Sequence, residues 1–403
     1  MKKLTIGPAI LVTAAFIGPG TVITASLAGA KFGYSLLWAL LFSVVATIIL
    51  QEMTGRLGII TRRGLGENIR ISFKNPIQRG IAMTLVISAI VIGNAAYQGG
   101  NISGASLGLA AMLPVFSVSG LSIWPVIIGV IAFFLLWSGS YHIIERALIT
   151  LVGLMSLAFL VTFALTKPDL SLLFSGLLIP SLPTGSTLTI IALIGTTVVP
   201  YNLFLHAASV AKKWSDPEHL SDARKDLYIS IPLGGLISVA ILSTAASAFF
   251  GQQLSIQNVA DLSPALEPTF GIFAKTFMAI GLFAAGISSA VTAPLAAAFA
   301  LSGILDLNRE LDSRSFKIIW ISILLIGVII ASSGYQPVSV ILFAQVANGI
   351  LLPVITIFLL WIMNSSILGQ YRNSLLQNIL GAIVLLVTLL LSGRSLLSAF
   401  GYL

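Results

Sequence analysis

The chain has 403 residues, of which 57% are hydrophobic and only 8% charged, against roughly 25% charged in a typical soluble domain. That composition excludes an ordinary water-soluble fold, and the absence of cysteine excludes disulfides and thiolate metal sites. A net charge of +8 would suggest nucleic acid in a soluble protein, but here the basic residues sit in short loops between apolar runs, so no nucleic-acid partner is expected.

A helix needs about 20 apolar residues to cross the hydrocarbon core of a bilayer. Segments of that kind fall at 8–28, 35–60, 80–112, 121–139, 145–166, 188–211, 228–250, 271–304, 317–334, 338–363 and 375–393. They predict an all-α integral membrane protein, a single transmembrane domain of about eleven helices. No cleavable signal peptide is expected, because the first apolar run follows Met1 to Thr5 directly and lacks a small-residue cleavage site. The segments 80–112 and 271–304 are longer than one crossing, so each should contain a turn or extend beyond the membrane.

With the N-terminus placed in the cytoplasm, seventeen of the 21 lysines and arginines fall on the inner side, and only Lys31, Lys167, Lys275 and Arg394 on the outer. Cytoplasmic loops carry such an excess, so a multi-pass plasma (inner) membrane protein with its C-terminus outside is expected. A missed or extra helix would scramble the alternation.

Two of the spans carry interruptions at mid-membrane. The first holds Gly18-Pro19-Gly20, and the sixth holds Thr196-Thr197-Val198-Val199-Pro200. Proline removes a backbone donor and glycine accepts unusual dihedrals. Unwound backbone at that depth is tolerated only where it is buried in protein or lines a cavity. Interruptions at corresponding places in two halves point to a transporter's binding site. The two spans are five apart, as a 5+5 inverted repeat requires. Repeat one would cover 8–166, repeat two 188–363, and the helix at 375–393 would be an addition.

Several stretches resemble the Nramp family of divalent metal-ion transporters. They are Gly29-Ala30-Lys31-Phe32-Gly33-Tyr34-Ser35-Leu36-Leu37-Trp38, Leu50-Gln51 with Arg56-Leu57-Gly58-Ile59-Ile60-Thr61, Val199-Pro200-Tyr201-Asn202-Leu203-Phe204-Leu205-His206, Leu282-Phe283-Ala284-Ala285-Gly286-Ile287-Ser288-Ser289 and Ala344-Gln345-Val346. The resemblance implies a LeuT-type fold. It also exposes departures. Typical members carry Asp-Pro-Gly-Asn in the first span, where this chain has Gly18-Pro19-Gly20-Thr21. The methionine that precedes the proline of the sixth span is Val199 here, and the first histidine after it is Tyr201; the second survives as His206. The two carboxylates of the third span correspond to Gln98 and Asn101.

Divalent ions leaving water need several oxygen ligands, usually with carboxylate charge, or softer imidazole and thioether groups. No acidic residue is expected near the bilayer centre; Glu52 lies toward one end of the second span and the others fall in loops or at helix ends. The expectation is therefore a secondary transporter whose metal-binding and proton-coupling residues are replaced, moving another small solute or cation. A magnesium-like, partly hydrated ion is the alternative, and a non-transporting membrane receptor a more remote one. The candidate substrate residues are Ala15 (through its carbonyl), Gly18, Thr21, Thr196, Val199, Tyr201 and Gln345. Path or coupling candidates are Asn94, Gln98, Asn101 and His206, with Asn348 as a further polar group. Thr21 and Thr196 have a simpler role open to them, bonding to neighbouring backbone; Asn94, Gln98 and Asn101 have one as interhelical hydrogen bonds. No metal site, cofactor or catalytic set is expected.

Overall fold

A computed structural model describes residues 7–399 except 114–116, 119–120, 140–141, 215, 253–255 and 309. In chain order the helices are α1 (Pro8–Phe16), α2 (Pro19–Phe32), α3 (Leu37–Thr61), α4 (Leu65–Ser72), α5 (Pro76–Met112), α6 (Trp124–Ser138), α7 (His142–Leu165), α8 (Leu170–Leu178), α9 (Thr187–Thr197) and α10 (Pro200–Lys213). There follow α11 (Leu220–Phe249), the single turns α12 (Val259–Leu262) and α13 (Glu267–Phe270), α14 (Ala274–Leu305), α15 (Arg314–Ala331), α16 (Pro337–Met363) and α17 (Leu375–Ala399). A two-residue hairpin, β1 (Ser117–Val118) with β2 (Leu121–Ser122), precedes α6.

Among the described residues, nine helical segments are long and apolar enough to cross a membrane. The 15-residue α6 is a shorter apolar helix, and α1 with α2 makes one further, broken crossing, which gives the eleven expected. The protein is a multi-pass membrane protein. Large apolar side chains such as Phe134, Leu154, Ile329 and Leu386 are exposed on its outer helices, as a surface facing hydrocarbon requires.

Local chemistry sets the helix ends. Proline occupies the first turn of α1, α2, α5, α6, α10 and α16, where its missing N–H has no intrahelical partner in any case. Asn75 and Asp169 accept hydrogen bonds from the first amides of α5 and α8. Of the two outcomes expected for the long segments, a turn or an extension beyond the membrane, the structure takes the second. Both α5 (37 residues) and α14 (32 residues) are continuous, and at 1.5 Å per residue α5 is about 55 Å long, so it extends past a 30 Å core.

These two helices form the centre. They pack on one another, and α5 packs also on α15 and α16. Around them, α2 lies on α11 and α10 on α3, while α14 packs on α7 as α5 packs on α16. Close approach depends on small residues: Gly286 faces Ala105 and Gly104 faces Pro19, with no room for a Cβ at either glycine.

On the face rich in lysine and arginine, an ion-paired cluster ties the elements together. Arg56 donates to Glu52, to the Tyr371 carbonyl and to Asn373. Arg224 donates to the same Glu52 carboxylate from α11. Two residues further on, the Asp226 carboxylate accepts from the Gly7 amide at 3.1 Å and the Ala9 amide at 2.8 Å, capping α1 across 219 residues of sequence.

Candidate functional site

Both breaks are narrower than the sequence suggests. In the first span only Ile17 and Gly18 leave the helix, and in the sixth only Val198 and Val199. Pro19 and Pro200 each open the second half-helix at its first position, and Thr21, Thr196 and Thr197 are helical. Because a proline sits four residues on, the carbonyls of Ala15 and Thr196 have no amide to accept from at that position. The two breaks therefore present equivalent backbone acceptors.

The breaks meet. Thr21 Oγ1 lies 2.9 Å from Thr196 Oγ1, and Thr21 also donates to the Phe16 carbonyl, one of the last of α1. Gln345 of α16 supplies the third side: its side-chain amide packs on Gly20, and its backbone carbonyl abuts Gly195 of α9. The fourth side is α5, where Gly104 fits under Pro19 and the Tyr97 ring meets the Tyr201 ring edge-on at 5.4 Å. Thr21, Thr196, Val199, Tyr201 and Gln345 are each at most 2% exposed, so the site is occluded from both faces.

Its polarity comes from neutral groups and helix ends. The C-termini of α1 and α9 offer carbonyls and the N-termini of α2 and α10 offer amides; broken helices use both kinds of terminus to hold ions and polar groups. Gln345 Oε1, beside Gly20, is buried without a hydrogen-bond partner and leaves an acceptor for a substrate; Asn101 Nδ2 and both amide atoms of Asn202, on α5 and α10, are buried and unpartnered as well. Among the described residues no group of three or more histidine, cysteine, aspartate or glutamate side chains is placed to hold a metal ion.

The path candidates divide. Gln98 donates to the Ala290 carbonyl of α14 at 2.9 Å and packs against Gly327 of α15, an interhelical hydrogen bond, while its Oε1 is buried without a partner. Asn94 donates to the Ile90 carbonyl of its own helix. Gly93, next to it, faces Asn348, whose Oδ1 would lie 3.2 Å from a Cβ there. His206 sits against Gly55 of α3, where a Cβ would lie 3.0 Å from Nε2. Sequence reasoning missed the Phe16 carbonyl, Tyr97 and Asn202. The only signal was position: Asn202 follows Tyr201, and Tyr97 precedes Asn101 by one helical turn.

Two broken half-helix pairs meeting on a long central pair match a known family. The family model described as Nramp, natural resistance-associated macrophage protein-like, covers residues 9–398. The chain belongs to the Nramp family. Among curated relatives, a divalent metal cation transporter, MntH, from Caldanaerobacter subterraneus subsp. tengcongensis is 27% identical over 96% of this chain and 91% of its own length. The MntH of Yersinia pestis is 28% identical over 99% and 96%. Among solved structures, an Eremococcus coleocola manganese transporter in complex with an aromatic bis-isothiourea substituted compound superposes with a TM-score of 0.77 at 21% identity, covering 98% of this chain and 87% of that one. The nucleobase-cation-symport-1 transporter Mhp1 gives 0.62 at 15% identity, over 98% and 93%. This Nramp protein thus has the LeuT-type fold, and is a membrane transporter by family.

Proposed function

We propose that this Nramp protein moves a small cation that keeps part of its water shell, by alternating access around the Thr21–Thr196 contact. The observation that carries this reading is the make-up of that contact: two hydroxyls, a carboxamide and helix-end carbonyls, with no carboxylate or thioether. A divalent ion stripped of water there would lack the charge that offsets dehydration. An ion that dehydrates reluctantly and keeps several waters asks less of the protein, and magnesium is the divalent ion of that kind. The MntH relatives, named as divalent metal cation transporters, support a divalent cargo. In this reading the repeats 8–166 and 188–363 move against one another, the basic face lies in the cytoplasm and the membrane is the plasma membrane. The cation's own charge and the membrane potential drive uptake, with no proton carried.

The test is ion flux into proteoliposomes with a set membrane potential and dyes for Mg2+, Mn2+ and pH inside. Saturable, potential-driven Mg2+ entry exceeding Mn2+ entry, with no accompanying acidification, is expected. Mn2+ entry that is tighter and coupled to protons overturns the reading. Absence of any cation flux also overturns it, and turns attention to a neutral polar solute, for which the unpartnered Asn101 Nδ2 and Asn202 amide would serve as hydrogen-bonding groups.

A further inference from the structure

The two broken spans are held unequally. On one side, Gly195 of α9 lies directly on the Gln345 carbonyl of α16, and Gly349 lies on Ile191; these backbones touch. On the other side, α1 stands off α7, and a cleft of about 290 Å³ separates them. Its walls include Ile17 at the break, Val152, Gly153 and Leu157 of α7, Leu233 of α11 and Ser288 of α14.

Three features fix what fills it. The first is depth: Gly153 lies near the midpoint of the 24-residue α7 and Leu233 near that of the 30-residue α11, so the cleft is at the level of the hydrocarbon core. The second is access: Leu157 and Leu233 on its rim are half-exposed, and Leu154 and Leu236 continue the exposed apolar surface outward. The cleft is thus continuous with the lipid-facing surface. The third is room: a Cβ on Gly153 would meet nothing within 4 Å. An apolar space at that depth is a poor host for water, which needs two to four polar partners, and an empty one forfeits dispersion contacts along its walls.

We propose that the cleft is a binding site for a bilayer acyl chain, which inserts between α1 and α7 and ends beside the break at Ile17. The chain fills the space that α1 would otherwise have to cross to reach α7.

The test uses the full-length protein in phosphatidylcholine vesicles doped with phosphatidylcholine that carries a photoactivatable diazirine at mid-chain. After illumination the adducts are mapped by peptide mass spectrometry. Adducts at Ile17 and Val152 are expected, in addition to those on the outward-facing Leu154 and Val161. Adducts confined to Leu154 and Val161 overturn the proposal. In the variant Gly153→Phe, and in the smaller Gly153→Leu, the Ile17 adducts are expected to be lost while those at Leu154 remain. Retention of Ile17 adducts in both variants overturns the assignment of the chain to this cleft.

Discussion

Thr21 holds two partners at once, the last carbonyl of α1 and the hydroxyl of Thr196, so it joins both breaks. Removing one hydroxyl leaves the other buried and under-bonded, at a cost of about 1–3 kcal/mol. Thr21→Val and Thr196→Val should each destabilise by that order, and the double variant by less than their sum; thermal unfolding of the four proteins measures the difference. Additive losses would mean the hydroxyls are not coupled. Ion uptake should fall in all three variants. The residues typical of the family supply a second prediction. The combined variant Gly18→Asp, Thr21→Asn, Val199→Met adds a carboxylate, an amide and a thioether, and should raise Mn2+ uptake over Mg2+; unchanged selectivity would show that these positions do not touch the cargo. The place of Thr21 and Thr196 at the breaks was legible in the sequence, because a proline stands close by. Their contact was not, since 175 residues separate them and a threonine looks the same whether it bonds to its own helix or to another. Asn94 and Gln98 stood out as polar groups in apolar runs, and the structure adds that each amide nitrogen donates to a backbone carbonyl while the side-chain oxygen stays unpartnered. That outcome leaves no trace in a sequence.

Half-helices are secured at their ends, and the two first halves differ in how. Gly195 lets α9 touch α16 backbone to backbone, so Gly195→Ala forces the Gln345 carbonyl to move. A clear loss of thermal stability and of uptake is expected, whereas Gly153→Ala, which faces open space, should leave both near wild type. By contrast, α1 has no cap of its own and borrows the Asp226 carboxylate from α11. Replacing a capping side chain costs about 1 kcal/mol. Asp226→Ala should therefore speed amide hydrogen exchange in the first turn of α1 while leaving α9 unchanged, and equal exchange in both proteins would show that the cap does not restrain α1. Prolines signalled the breaks, but only in part. Pro232, Pro294 and Pro353 lie inside continuous helices, whereas Pro19 and Pro200 start new ones. A proline bars one hydrogen bond wherever it falls; whether the helix ends there depends on the neighbours that take up the freed carbonyls. At the first break Thr21 reaches back to the Phe16 carbonyl and across to Thr196 of the other broken span, and the second of these contacts is a tertiary fact.

At the scale of the whole molecule, charge and length carry different information. The apolar run 121–139 marked a crossing by length, and although the helix formed there, α6, has only 15 residues, the alternation of lysine and arginine between the two faces requires a crossing too. Apolar length gave eleven spans in the sequence, and the alternation of charge agrees with that number. The same asymmetry sets the orientation: with seventeen of 21 basic residues on one face, insertion should leave that face in the cytoplasm. The Arg56–Glu52–Arg224 cluster, in which Arg56 and Glu52 are buried, and the cap of α1 lie on this face, so orientation decides which compartment the α1 cap faces. Because the chain has no cysteine, single thiols report on this directly. Glu218, between α10 and α11, and Thr184, between α8 and α9, are exposed on opposite faces. In intact cells a membrane-impermeant maleimide should label Thr184→Cys and spare Glu218→Cys until the membrane is opened. The reverse pattern would invert the protein and place the α1 cap outside. Labelling of both in intact cells would break the alternation between the sixth span and its neighbours, on which the count of eleven rests.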